Sequence, residues 1–188
     1  MSMAKLKTQR AAKEYECEAC REQILRGESY ISYKVGFRSR YVHRRHDLPG
    51  CRPKPSERES SLVADCYAAQ EDFEAGTYES VDDIESAMQE VAERFREVAQ
   101  QYDDASTDEN GTEWNVEAAE RRDIVEAAAD ELDGWSPSGD SPDEARCAEH
   151  TDEETAPDDC EDCTSEREAA LAEILEDATG TVNGVELP

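Results

Sequence analysis

The chain has 188 residues, of which 37% are hydrophobic and 6% aromatic, and Asp and Glu outnumber Lys and Arg 48 to 20. This composition excludes one large apolar core and favours small modules joined to exposed helices. No stretch approaches the ~18 consecutive apolar residues of a membrane helix, and the N-terminus lacks the apolar region of a secretory signal. We therefore expect a protein of the cytoplasm, where paired cysteines bind metal more often than they form disulfides.

Charge is divided unevenly along the chain. Residues 1–58 carry 14 Lys and Arg against 7 Asp and Glu, whereas residues 59–188 carry 6 against 41. A surface rich in Asp, Glu and Ala, with 15 Arg but only 5 Lys, is typical of proteins adapted to molar salt. There, hydrated carboxylates maintain solubility although charge repulsion is screened within about 3 Å. The composition predicts a halophilic source; the alternative is an ordinary acidic protein with a disordered tail.

The N-terminal third is predicted to contain a basic flexible arm over residues 1–14 and a small metal-binding β module over residues 15–57. Within the module, residues 29–35 and 40–43 are rich in β-branched and aromatic side chains, and Gly36 separates the two runs. This pattern predicts a β-hairpin.

Residues 58–135 are predicted to form a helical region that begins with a helix over residues 58–75. Pro55 ends the preceding strand, and Ser56 with Glu59 has the spacing of a capping box. One face of this helix carries Leu62, Cys66, Ala69 and Phe73. The cysteine on that face is interpreted as a core residue and not as a reactive thiol.

Two further helices in this region predict an antiparallel hairpin. Ser80 and Asp83 form a capping signature for the first, and Asn115 is a plausible cap for the second, over residues 115–133. The first helix has an apolar heptad seam made of Val81, Ile84, Met88, Val91, Phe95, Val98 and Tyr102. The second has a weaker apolar stripe made of Ala118, Val125, Ala128, Leu132 and Trp135. The loop between the helices is short, which favours antiparallel neighbours.

Residues 136–164 are predicted to be an acidic linker, and residues 165–188 a final helix and tail. A capping signature at Ser165 predicts a helix that extends through Ala178, with Gly180 as its stop. The predicted fold class is therefore α+β and mostly helical, with a zinc-stapled β-hairpin module followed by a helical hairpin and acidic helices.

The first of two Cys/His clusters lies in the β module. Its five candidate ligands are Cys17, Cys20, His43, His46 and Cys51. Zinc takes four ligands in a tetrahedron, so the two histidines compete for one position; we favour His46 over His43. A module of this size has few apolar residues, and a structural zinc that contributes ~10–16 kcal/mol would decide whether it folds. The alternative is a set of unligated core cysteines with surface histidines.

The sequence of this module resembles a group of small proteins encoded by tailed viruses. The matching residues are Cys17, Cys20, Ile24, Gly27, Glu28, Tyr30 and the run from Cys51 to Glu57. The resemblance covers roughly residues 15–135 and includes the heptad helix and the helix after it. It implies a zinc module followed by a long acidic helical region. It implies little chemistry, because most members of that group have no assigned function.

The second cluster lies in the acidic linker and consists of Cys147, His150, Cys160 and Cys163. Its pair-plus-pair spacing suits a second zinc ion. The surrounding residues are acidic and offer almost nothing apolar to pack around a metal, so a solvated linker is the alternative.

No catalytic constellation stands out, and a zinc ion held by four protein ligands has no open position for a substrate. We therefore expect a non-enzymatic interaction or regulatory protein of a virus or provirus in a halophilic host, located in the host cytoplasm. Its expected partner is another protein or a second copy, with no membrane and no small-molecule substrate. One alternative is a virion or assembly component that associates through the heptad helices. The other is a nucleic-acid-binding regulator that uses the basic module, through Arg38, Arg40, Arg44, Arg45 and Arg52.

Overall fold

The protein is α+β and mostly helical, which confirms the predicted fold class. The computed structural model describes residues 3–36, 39–108, 112–138, 141–150 and 160–188. Within these residues the chain contains five short strands and five α-helices. It divides into two compact units, Met1–Ala68 and Ala69–Pro188.

The first unit is built on two small antiparallel sheets. Its strands are β1 (Lys7–Arg10), β2 (Tyr15–Glu16), β3 (Gln23–Ile24), β4 (Ser29–Tyr33) and β5 (His43–His46). The three-stranded sheet has the order β1–β4–β5, and β2 pairs with β3 in a separate hairpin. Strand β4 is the central strand and is almost entirely buried. Its Tyr30 packs with Cys17 and Cys51, so β4 provides the core for the segments that carry these cysteines.

Two predictions for this unit were wrong. The N-terminal arm is not flexible at residues 7–10, because β1 pairs with β4 along its whole length. The side chains of β1 are polar, so the strand forms through its pairing with β4 and could not be predicted from the local sequence pattern. The second predicted strand, at residues 40–43, lies too early, since β5 begins at His43. The predicted turn includes Phe37 and Arg38, which lie outside the described residues.

Helix α1 is a single short turn, Pro55–Arg58. The predicted capping box was wrong by two residues, because Pro55 occupies the first helical position. The backbone N–H of Lys54 donates to Glu57 Oε2 at 2.8 Å, so Glu57 closes the box. The Arg58 guanidinium in turn donates to the Ala4 carbonyl at 3.0 Å, which fixes the start of the chain against α1.

Helix α2 is Val63–Ala75, so its predicted start at residue 58 was wrong. The chain leaves the helical conformation at Glu59, whose carboxylate accepts the next two backbone N–H groups at 2.8 and 3.0 Å. Cys66 is fully buried on this helix. Its prediction as a core residue is confirmed.

Helices α3 (Val81–Ser106) and α4 (Val116–Asp133) begin where the sequence predicts. The Ser80 hydroxyl accepts the N–H of Asp83 at 3.1 Å. The Asn115 side chain likewise caps α4 by accepting a backbone N–H at 3.3 Å. These short polar side chains satisfy backbone donors that have no partner within the helix.

The two helices form an antiparallel hairpin, as predicted. Arg96, in the second half of α3, lies 3.0 Å from Asp133 at the end of α4. Asp103, near the end of α3, lies 2.8 Å from Arg122 in the first half of α4. The seam residues from Ile84 to Tyr102 are buried within the chain. The seam therefore packs internally, and a second copy could reach it only if the hairpin opened.

Helix α5 is Glu161–Gly184, which differs from prediction at both ends. It begins at the last Cys pair, four residues before the predicted start, and it continues through Gly180. Gln70 Nε2 donates to the Val182 carbonyl at 2.6 Å, so its last turns are held by side-chain contacts that the local sequence does not reveal. Among the described helices none combines the length and the apolar character needed to cross a membrane.

Candidate metal centres

The first centre is assembled from three segments of the first unit. Cys17 and Cys20 stand on a tight turn between β2 and β3, closed by the N–H of Arg21 donating to the Cys17 carbonyl at 2.9 Å. His46 is the last residue of β5. Cys51 ends a short 3-10 turn that begins at Pro49. The fold therefore brings together a pair of thiols from one hairpin and a His/Cys pair from a distant segment.

The distances between the ligand atoms of these four residues are compatible with a shared metal ion. Their ligand atoms all lie within 4.8 Å of one another, and the Cys20 Sγ to His46 Nδ1 distance is 3.3 Å. In a tetrahedral site, zinc bonds of about 2.3 Å to sulfur and 2.0 Å to nitrogen would place such atoms roughly 3.5–3.8 Å apart. Cys17 and Cys51 are buried, while Cys20 is exposed. The group could therefore hold a metal ion.

In the first centre the surroundings favour the thiolate form of Cys17 and oppose that of Cys51. Burial raises the pKa of Cys17, but the backbone N–H groups of Cys20, His46 and Ala19 outweigh it and lower that pKa to about 6. Burial, together with the neighbouring Cys20 and Cys17 sulfurs, raises the pKa of Cys51 to about 11. Several thiolates this close repel one another, and a divalent cation is the group that would offset the repulsion.

His43 lies outside this group and has another set of contacts. Its Nδ1 is 2.7 Å from Glu18 Oε2, and its ring stacks on Tyr33 with centroids 4.8 Å apart. Glu18 also accepts the Tyr41 hydroxyl at 3.1 Å. Sequence reasoning missed Glu18, although its position inside the C-x2-C pair was a usable signal. These contacts hold the turn that carries Cys17 and Cys20 against β5.

The second centre joins residues 147–150 to the first turn of α5. Cys147 Sγ lies 3.1 Å from His150 Nδ1 and 3.5 Å from Cys163 Sγ. Cys160 Sγ is 4.0 Å from Cys147 Sγ. These four ligand atoms also lie within 4.8 Å of one another, so this group too could hold a metal ion.

The packing of the second centre is made by the cysteines themselves. Cys147 and Cys163 are buried and pack with Cys160 as a small cluster. The backbone N–H of Cys163 is the main cause of a lowered pKa at Cys160. At Cys163 the backbone N–H of Cys147 acts to lower the pKa, but burial and the neighbouring sulfurs raise it overall. The acidic residues 151–159 between the two halves of this cluster lie outside the described residues.

Two of the arginines predicted for nucleic acid are paired with carboxylates of their own module. Arg45 makes a two-pronged pair with Glu57, with N–O distances of 2.9 and 2.5 Å. Arg52 lies 3.3 Å from Asp47. The first pair ties β5 to α1 and is the better shielded of the two.

The other three predicted arginines differ from one another. The Arg44 guanidinium lies over the Tyr15 ring, 4.6 Å from its centroid. Arg40 is exposed, and Arg38 lies outside the described residues. Arg44 and Arg45 are neighbours on β5, so they lie on opposite faces of the sheet.

Comparisons with protein-family models, with curated proteins and with solved structures found no match. The function is therefore argued from the chemistry of the described residues. The resemblance to proteins of tailed viruses stays a prediction from the sequence.

Proposed function

We propose that this chain is a zinc-binding protein with two structural metal sites, which acts by binding a macromolecular partner and not by catalysis. One observation carries the proposal: in each of two separate groups, three thiols and one imidazole converge within 4.8 Å. Thiolate-rich tetrahedral sites are typical of structural zinc.

The role of the ligands is to hold chain segments together. When bound, zinc would supply cross-linking free energy that small modules cannot obtain from their apolar core. At the first centre, His46 and Cys51 would be tied to the β2–β3 hairpin. At the second, His150 would be tied to the start of α5. Four protein ligands at each site leave no coordination position for water or substrate, which favours an interaction protein over a zinc enzyme.

Metal analysis of protein expressed with sufficient zinc tests the proposal. We expect two zinc ions per chain, with Cys51→Ser and Cys163→Ser each losing one. Cys66→Ala is the matched control, because Cys66 is buried but lies outside both groups, and it should retain both ions. Less than half an equivalent of zinc in the wild-type protein would overturn the proposal.

The biological setting is a second part of the proposal. The viral resemblance of residues 15–135 and the formal net charge of −28 support a regulatory protein of a virus or provirus in a halophilic host. Neighbouring genes test this directly. Capsid, replication or viral regulatory genes beside this one would support it, and a metabolic operon of a low-salt organism would contradict it.

A further inference from the structure

One face of the three-stranded sheet carries a row of cations. Lys7 and Arg44 are both register partners of Ser32 on the central strand, so all three lie on the same face. Lys5 and Lys34 lie just beyond the ends of β1 and β4. Their neighbours Ala4 and Val35 pack with Ile31 and Tyr33 on the opposite face, so alternation places both lysines on the face of Ser32. All three lysines are exposed.

A fifth cation joins this row through Tyr15. The Tyr15 ring packs against Tyr30 of the central strand, with centroids 5.4 Å apart. Arg44 lies over the same ring at 4.6 Å, and Lys13 at 5.7 Å. The basic face is therefore defined by Lys5, Lys7, Lys13, Lys34 and Arg44.

This arrangement works against the stability of the isolated sheet. Lys7 and Arg44 lie on either side of Ser32, two strand spacings or about 9.6 Å apart. Continuing the β1–β4 register beyond the ladder sets Lys5 opposite Lys34, and like charges in facing positions destabilise a sheet. The central residue, Ser32, is 4% exposed and carries no charge. In the described residues no carboxylate is paired with Lys5, Lys7 or Lys34. An anion bound across the face would relieve this repulsion.

The arrangement of the cations indicates the kind of anion. Elsewhere in this unit arginines hold single carboxylates: Arg45 holds Glu57 and Arg52 holds Asp47. Four of the five cations of the basic face are lysines, which bind phosphate as point charges without imposing one direction of approach. A row of such charges suits a ligand whose anions repeat along a line, and phosphates repeat in this way along a nucleic-acid strand.

We infer that the basic face binds the phosphate backbone of nucleic acid, without dependence on base sequence. The inference rests on the proposed function, because the first metal centre joins the hairpin that carries Tyr15 to the strand that carries Arg44. It replaces the predicted set of five arginines by a mainly lysine surface that shares only Arg44 with it.

Five phosphate contacts predict a strong dependence on salt. The logarithm of the binding constant should fall with a slope of about −4.5 against the logarithm of salt concentration, or about 500-fold between 50 and 200 mM. The test is fluorescence anisotropy of the zinc-loaded full chain with a labelled 20-base-pair duplex of random sequence. Lys7→Gln/Lys34→Gln should weaken binding at 50 mM salt by at least about tenfold and reduce the slope by about 1.8.

The matched control, Arg10→Gln/Arg26→Gln, also removes two charges from this unit. Arg10 lies on the opposite face of β1 by alternation, so this variant should bind the duplex almost as the wild type does. Equal weakening by both double variants would overturn the assignment to this face. So would tighter binding of a poly-glutamate peptide than of the duplex, which would indicate an acidic protein. If the protein contains zinc but binds no duplex at 50 mM salt, this inference alone is refuted. If protein expressed with sufficient zinc contains none, the proposed function is refuted.

Discussion

The two histidines of the first module differ in their contacts although they share one short strand. His46 has its Nδ1 3.3 Å from Cys20 Sγ, whereas His43 has its Nδ1 against Glu18. We predict that His46→Ala loses one zinc ion per chain to the chelator, because water would have to replace the imidazole as the fourth ligand and binds zinc much more weakly. We predict that His43→Ala keeps two ions. Competition with a colorimetric chelator measures both.

Glu18 is not one of the four candidate ligands of the first centre, but it should influence zinc affinity at the same site. Its carboxylate holds the metal-binding turn against β5 through His43 and the backbone N–H of Arg44. We expect Glu18→Ala to weaken zinc affinity by about 10–100-fold while zinc stoichiometry at saturation is unchanged. Glu22→Ala is the control, since that exposed residue lies on the same hairpin. Equal affinities for the two variants would rule out this orienting role.

Among the elements, α5 shows most clearly where sequence patterns fail. Gly180 is a reasonable stop by composition, but it lies inside the helix and is exposed. A Cβ placed there would meet nothing within 4 Å. We therefore predict that Gly180→Ala stabilises the protein by about 0.5–1 kcal/mol, measured by urea unfolding of the zinc-loaded chain. Gly27→Ala should destabilise it instead, because Gly27 has φ +92°. A loss of stability in Gly180→Ala would show that the helix ends there.

The pair that joins β5 to α1 should contribute more than its exposed counterpart. Arg45 and Glu57 make two parallel bonds with the arginine largely shielded, whereas the Arg52 side chain is 66% exposed beside Asp47. A double-mutant cycle with alanine should give a coupling energy of about 1 kcal/mol for the first pair. The second pair should give less than about 0.5 kcal/mol. Equal coupling energies would mean that shielding and geometry contribute nothing here.

Elements with their own periodicity were predictable, and elements ordered by distant partners were not. The α3 seam and the caps at Ser80 and Asn115 are local signals, and each has its predicted place. Strand β1 is polar and is ordered only by pairing with β4. The ligand spacing marked both candidate metal centres and favoured His46 over His43, and His46 is the histidine that lies in the group. In the second centre the cysteines supply the packing that the acidic linker lacks.

For the whole molecule, charge asymmetry predicts opposite salt responses for stability and for binding. Residues 59–188 carry 41 acidic and 6 basic side chains, so their self-repulsion opposes folding at low salt. Raising KCl shortens the Debye length from about 10 Å at 0.1 M to 3 Å at 1 M. The melting temperature of the zinc-loaded chain should therefore rise by at least ~3 °C between 0.1 and 1 M KCl, or about 1 kcal/mol for a chain of this size.

Over the same salt range the affinity for a duplex should fall steeply, because the basic face would lose the counterion-release contribution to binding. Calorimetry and anisotropy on one protein stock measure the two responses together. Sucrose at matched osmolality is the control, since it cannot screen charge. A melting temperature that stays constant or falls with KCl would mean that the acidic half does not limit stability. Affinity that is insensitive to salt would mean that any duplex is held by contacts other than phosphates. In molar salt the basic face could then bind nucleic acid only with help from contacts that do not depend on charge.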